Sequence, residues 1–170
     1  MSLDKSYDMS YDGRLRSGMM YYYSDIAARS LVTKLVLKDD VLEEVLVYAL
    51  KQTVKRHPHI TRSLREENGN FYMVDNDRPI SVLKKDTGLV LGGKEANYHL
   101  YGITYNSNVL RIYWYHGLMD GMASQRVLET LLYYYFCKKN EKDYEPEGIW
   151  LSTSSFRHFV KLSKETACSF

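Results

Sequence analysis

The sequence predicts an α+β fold, a mixed β-sheet packed with helices on one face. Three observations point to it. Strand-type alternation over Ser30–Lys38 gives way to helical spacing from Leu42 to Val54. Paired strand-like runs follow around Asn68-Gly69 and around Asn106-Ser107-Asn108. A second helical pattern then covers Met122–Lys139. The order β-α-ββ-ββ-α combines hairpins with helices, and such a chain buries one face of a sheet under its helices.

In Ser30–Lys38, Leu31, Thr33, Leu35 and Leu37 fall on one side, with Lys34 and Lys38 on the other. That period of two marks a half-buried strand. Asp39-Asp40 ends it. Asp40-Val41-Leu42-Glu43 has the form of a capping box, with Asp40 as N-cap and Glu43 reaching back. Leu42, Val45, Leu46, Ala49, Leu50, Thr53 and Val54 then form one apolar stripe. Lys51, Lys55 and Arg56 gather where a helix carries its negative end, and Pro58 stops the helix.

Ile60–Glu67 and Asn70–Asp75 flank Asn68-Gly69, a strong hairpin signal. Pro79 closes the second strand, and residues 84–96 read as loop. Tyr98–Tyr105 and Val109–Tyr115 form the second hairpin. Gly117–Gly121 is a turn, and the helix after it carries Val127, Leu128, Leu131, Leu132, Tyr135 and Phe136 on one stripe. Residues 1–29 read as an N-terminal arm with a short aromatic helix, 30–140 as the folded unit, and 141–170 as a linker.

Composition narrows the function classes. Lys and Arg total 23 against 21 Asp and Glu, and the signs interleave, as in Arg62-Ser63-Leu64-Arg65-Glu66-Glu67. No clustered basic face results, so nucleic acid is not an expected partner. No apolar run reaches membrane-spanning length, and the first residues lack a signal-peptide core. The two cysteines, Cys137 and Cys168, form no C-x-x-C pair, so a reduced, cytoplasmic protein is expected. The 16 tyrosines, some in triplets, read as packing rather than a base-stacking platform.

One motif carries chemistry. Leu110, Ile112, Trp114 and His116 share a strand face, so His116 is the last inward residue of an apolar row. Asp120 and Gly121 follow immediately before a helix. An imidazole at a strand end titrates near neutral pH and can take a proton from a hydroxyl or amine. A nearby carboxylate can hold the turn, and Gly121 lets the backbone turn and a substrate approach. On spacing alone a satisfied structural histidine is favoured by about three to one. His57 and His59, around Pro58, read as a surface pair complementing the helix dipole, and His99 as half-exposed. No third ligand joins His116 and Asp120 at a recognisable spacing, so no metal is expected.

The context reverses those odds. Arg111-Ile112-Tyr113-Trp114-Tyr115-His116-Gly117-Leu118-Met119-Asp120-Gly121 resembles the strand–turn–helix of the chloramphenicol-acetyltransferase-like superfamily, which includes condensation domains and alcohol acetyltransferases. Val54-Lys55-Arg56-His57-Pro58-His59-Ile60 is similar to that family's helix end and next strand. Asn68-Gly69-Asn70-Phe71-Tyr72, Asn76-Asp77-Arg78-Pro79-Ile80 and the helix from Val127 to Tyr135 most resemble the alcohol-acetyltransferase branch. The ordered likeness runs from about Ser30 to Phe136.

The resemblance implies an acyltransferase with no permanently bound cofactor. His116 would be the base that activates an alcohol or amine acceptor. The donor would be acyl-CoA or an acyl-carrier thioester. Asp120 would hold the loop through an ion pair with an arginine, for which Arg62 is one candidate, and Gly121 would match the motif glycine. Tyr115 stands where many condensation domains carry a first histidine, which suits the acetyltransferase branch. Members of that branch are built from two similar halves, and Ser152–Lys161 resembles the crossover into the second. The chain is thus expected to be an N-terminal half, completed by a homo-oligomer or a separate second half. The alternative is a catalytically incomplete half acting as an oligomerising or partner-binding module.

Overall fold

The computed structural model describes residues 30–141, apart from Gly69 and Thr87. The arm and short helix expected in 1–29, and all but Glu141 of the linker and crossover expected in 141–170, lie outside the described residues.

Strand β1 (Ser30–Val36) leads to helix α1 (Glu43–Arg56). A hairpin of β2 (Ser63–Glu67) and β3 (Asn70–Val74) follows, then a short β4 (Val82–Lys84). Strands β5 (Tyr101–Asn106) and β6 (Val109–Tyr115) precede helix α2 (Gly121–Lys139). The main sheet has the order β1-β6-β5-β4, with β4 parallel to β5 and the other pairs antiparallel. β2 and β3 form a separate two-stranded sheet. This is the mixed-sheet α+β architecture that the element pattern predicts.

The pleat divides the sheet's side chains between two cores. Leu35, Tyr101, Ile103, Tyr105, Leu110, Ile112 and Trp114 face the helices and pack with Leu46, Ala49, Leu50, Val127, Leu131 and Leu132. The opposite face, with Tyr113 and Tyr115, packs against Leu89, Leu91, Ala96 and Leu100. Leu64 and Met73 of the hairpin close over this second core. The expected loop at 84–96 is therefore a packed layer, and it includes a 3-10 turn at Lys94–Ala96. Gly102 makes the close approach possible, because a Cβ there would lie 2.4 Å from Leu89 Cδ2.

The stripes are buried at Leu46, Ala49, Leu50 and Thr53 of α1 and at Val127, Leu131, Leu132 and Tyr135 of α2, whereas Leu42, expected in the first stripe, is exposed ahead of the helix. The capping box is not formed. Helix α1 starts at Glu43 with Leu42 as N-cap and no side-chain cap. The Leu42 N–H donates instead to the Tyr135 hydroxyl, 3.0 Å away on α2. The Asp40 carboxylate accepts from Ser107 Oγ at 2.8 Å, and Glu43 accepts from the Tyr105 hydroxyl. Tertiary partners have taken both box residues and supplied the cap.

Three further expectations change. Ile60 belongs to a 3-10 turn at Pro58–Thr61 rather than to β2, because Pro58 sits at its start. β5 starts at Tyr101, since Asn97 and Tyr98 adopt left-handed backbone with φ of 51° and 65°. His99 is fully buried, not half-exposed. Its Nδ1 lies 3.0 Å from the Thr61 carbonyl and its Nε2 2.7 Å from the Arg78 carbonyl, so it ties two loops together.

Candidate functional site

The site begins with a strand that must end. β6 is buried on both faces through Tyr115, whose N–H donates to the Leu100 carbonyl at 2.9 Å. The next residues turn, and the Leu118 N–H closes back on the Tyr115 carbonyl at 2.9 Å. Gly117 fits this turn under an aromatic ring, because a Cβ there would meet Tyr115 Cε1 at 2.5 Å. Leu118 packs against both cores and Met119 is buried, so the turn is pinned from beneath.

His116 is the residue left outside. It is exposed, one position beyond β6, rather than the last inward residue of the strand face. The period of two ends when the backbone leaves the ladder, so Trp114 is the last side chain directed to the helix-side core.

Asp120 is the N-cap of α2. Its extended backbone (φ −82°, ψ 178°) places Oδ1 2.7 Å from the Ala123 N–H, which donates to it. The carboxylate satisfies an otherwise orphaned amide and sits at the positive end of the helix dipole. Arg62, the candidate ion-pair partner, does not reach it. Arg62 Nε lies 3.6 Å from Asp75 Oδ1, because the hairpin β2–β3 carries Asp75 to it. Gly121 opens the helix with nothing within 4 Å of a Cβ position, and among the described glycines the left-handed backbone belongs to Gly92. His116, Asp120 and Gly121 thus sit on one strand–turn–helix, with the carboxylate engaged by Ala123 rather than by the imidazole.

The other histidine pair is structural. His57 caps α1, and its Nε2 lies 2.9 Å from Thr130 Oγ1 on α2. The Thr130 hydroxyl spends its proton on the Arg126 carbonyl at 2.8 Å, so Nε2 is the donor in this contact. His57 therefore joins the two helices, which a surface pair would not. Burial, then the neighbouring His59 and Arg56, lowers its pKa below the usual 6.5. Burial and Arg62 lower that of His59. Cys137 is half-buried on α2, beside Tyr133.

No group of three His, Cys, Asp or Glu among the described residues could hold a metal ion. No helix among them is long and apolar enough to cross a membrane. An open groove of about 890 Å³ lies between α1 and β4, and His116 does not line it. Neither the short β4 nor this groove is visible in the periodicity, because three residues are too few to show alternation.

No protein-family model matches the sequence, and no curated protein matches it. Solved structures do share the fold. Polyketide synthase associated protein 5 from Mycobacterium tuberculosis superposes with a TM-score of 0.56 at 15% identity, over 75% of this chain and 33% of that one. The starter condensation domain of rhizomide synthetase gives 0.57 at 11% identity, over 76% and 38%. The epimerization domain from the third module of tyrocidine synthetase B gives 0.55 at 14%, over 76% and 36%. The chain spans between about a third and two-fifths of the length of these proteins. At these identities the likeness is one of fold: about three quarters of the chain superposes on part of a condensation or an epimerization domain.

Proposed function

We propose that the protein is an acyltransferase in which His116 is the general base. Its imidazole takes the proton of an acceptor hydroxyl or amine. The freed lone pair attacks the carbonyl of an acyl thioester, acyl-CoA or an acyl-carrier thioester. The C–S bond then breaks, and the imidazolium returns the proton to the departing thiolate. Hydrogen-bond donors for the tetrahedral oxyanion come from a second subunit or a separate second half.

The observation that carries this reading is the exposed His116 on a turn pinned by Leu118 and Met119, between a buried strand and a helix capped by Asp120. A base must reach solvent-borne substrate while its backbone stays fixed, and this turn meets both needs. The shared fold with condensation and epimerization domains supports acyl transfer as the reaction class.

A second reading is a catalytically incomplete half that binds a partner. It is favoured by β1, an end strand of the sheet among the described residues, whose Leu31, Val32 and Val36 are 39%, 47% and 44% exposed. One assay separates the two. Thioester consumption is followed with acetyl-CoA and a panel of alcohols and amines, for the wild type and His116→Ala. Turnover abolished by the substitution is the expected result. Turnover that survives it sinks His116 as the base, and no turnover by a folded wild type favours the binding module.

A further inference from the structure

The groove between α1 and β4 has no role in the reaction proposed above. Val47, Leu50 and Val54 of α1 face Ile80 and Val82 across it, and most of its wall is apolar. The rim is charged with one predominant sign: Lys51, Lys55 and Arg78 stand against a single acid, Asp77. Lys51, Lys55 and Arg78 are all exposed.

One wall of the groove is an open sheet edge. β4 ends the sheet order and pairs with β5 alone among the described residues. The Ile103 N–H donates to the Ser81 carbonyl at 3.0 Å, and the Lys85 N–H donates to the Tyr105 carbonyl at 3.0 Å. Alternation along the strand turns Leu83 toward β5 as well. The N–H and C=O groups of Val82 and Lys84 therefore point outward, along the groove. Charged Lys84 and the short strand limit indiscriminate pairing, as edges generally require.

We propose that this groove binds an extended segment of another polypeptide, one face of which carries apolar residues flanked by acidic ones, by adding it as a strand to β4. Backbone bonds go to Val82 and Lys84. Apolar side chains on one face of the added strand enter the groove under Val47, Leu50 and Val54. Acidic side chains before and after them on the same face meet Lys51, Lys55 and Arg78 at the rim. A small amphiphile would fill the apolar part but leave the outward amides of β4 to water, so the open edge favours a peptide.

The test is fluorescence anisotropy with a labelled eight-residue peptide, Glu-Thr-Val-Thr-Val-Thr-Glu-Thr, whose glutamates and valines share one strand face, titrated with the full chain. Binding to the wild type is expected. Val82→Pro removes an outward N–H while leaving the β4–β5 ladder intact, and weakens binding about fivefold to tenfold. The Lys51→Glu, Lys55→Glu double variant changes only exposed rim residues. It loses the glutamate peptide and gains a lysine–valine peptide of the same length. Thermal unfolding of each variant confirms that it is folded.

Failure of the glutamate peptide to bind the folded wild type overturns the proposal. So does equal binding of a peptide N-methylated on alternate residues, which cannot pair along the edge. Dodecyl phosphate binding where the peptide does not would assign the groove to an amphiphile instead. A wild type that dimerises through this edge, with Val82→Pro monomeric, would assign it to a second copy. Loss of thioester turnover on His116→Ala has no bearing on any of these results.

Discussion

The start of α1 offers a direct contest between two accounts of the same helix end. In the capping-box account, Asp40 holds the first turn and Tyr135 is only core packing. In the structure, the Leu42 N–H donates to the Tyr135 hydroxyl at 3.0 Å, and Asp40 accepts from Ser107 instead. Tyr135→Phe keeps the ring, which is 1% exposed, and removes only the acceptor oxygen. A neutral hydrogen bond of this kind contributes about 0.5–1.5 kcal/mol net. Leu42 is 48% exposed, so water can reach the freed amide, and the loss falls near the middle, about 1 kcal/mol. Asp40→Ala breaks one exposed contact and costs less than about 0.5 kcal/mol. Urea unfolding followed by circular dichroism gives both values, and amide hydrogen exchange at Leu42 localises the effect. Asp40→Ala costing more than Tyr135→Phe, or unchanged exchange at Leu42 in Tyr135→Phe, would refute the reasoning.

The cap of α2 and the histidines make separate predictions. Asp120→Ala removes the acceptor of the Ala123 N–H and lowers stability by about 1 kcal/mol, while Asp120→Asn retains most of it; urea midpoints for the pair test this. The lowered pKa values of His57 and His59 mean that the unfolded chain binds protons more readily than the folded one below pH 6.5. Stability therefore holds above that pH and falls as pH drops below it, toward the folded-state values. Urea midpoints between pH 7.5 and 5 should show a decline that shrinks in His59→Gln, where one imidazole and one cause of the lowered His57 pKa are gone. A decline of the same size in that variant would place its origin elsewhere.

The long-period features were legible in the sequence, and the short or borrowed ones were not. α1 and α2 each run several turns, so their stripes repeat often enough to fix the buried face, from Leu46 to Thr53 and from Val127 to Tyr135. Asn68 and Ser107, at φ of 51° and 50°, begin the turns of the two hairpins at the predicted places. β4 has three residues and gains its identity from β5, a neighbour that no local pattern reveals. The packed layer from Leu89 to Ala96 looks like loop because its apolar residues follow no period and are buried by Tyr113 and Tyr115. At the site, the strand–turn–helix carrying His116 and Asp120 was legible, but its exposure was not. Alternation puts His116 inward, and only the bond from Leu118 back to Tyr115 ends the strand in time to turn it out. Arg62 was misplaced for a related reason, since its partner Asp75 arrives through the hairpin.

The pairing of β1 sets the order in which the sheet can assemble. β5 and β6 meet across the turn at Ser107–Asn108, so their ladder closes at little entropic cost. Ser30 of β1 lies opposite Tyr115 of β6, about half the 170-residue chain away. That loop closes cheaply only after α1 and the hairpins have shortened it, so β1 docks after the rate-limiting barrier. A core substitution in β1, such as Leu35→Ala, should then raise the unfolding rate and leave the folding rate nearly unchanged, whereas Ile112→Val in β6 slows folding. Chevron plots of the two variants would show it, and a slowed folding limb for Leu35→Ala would reverse the order. Resistance to unfolding over long times is thereby vested in the strand that arrives last.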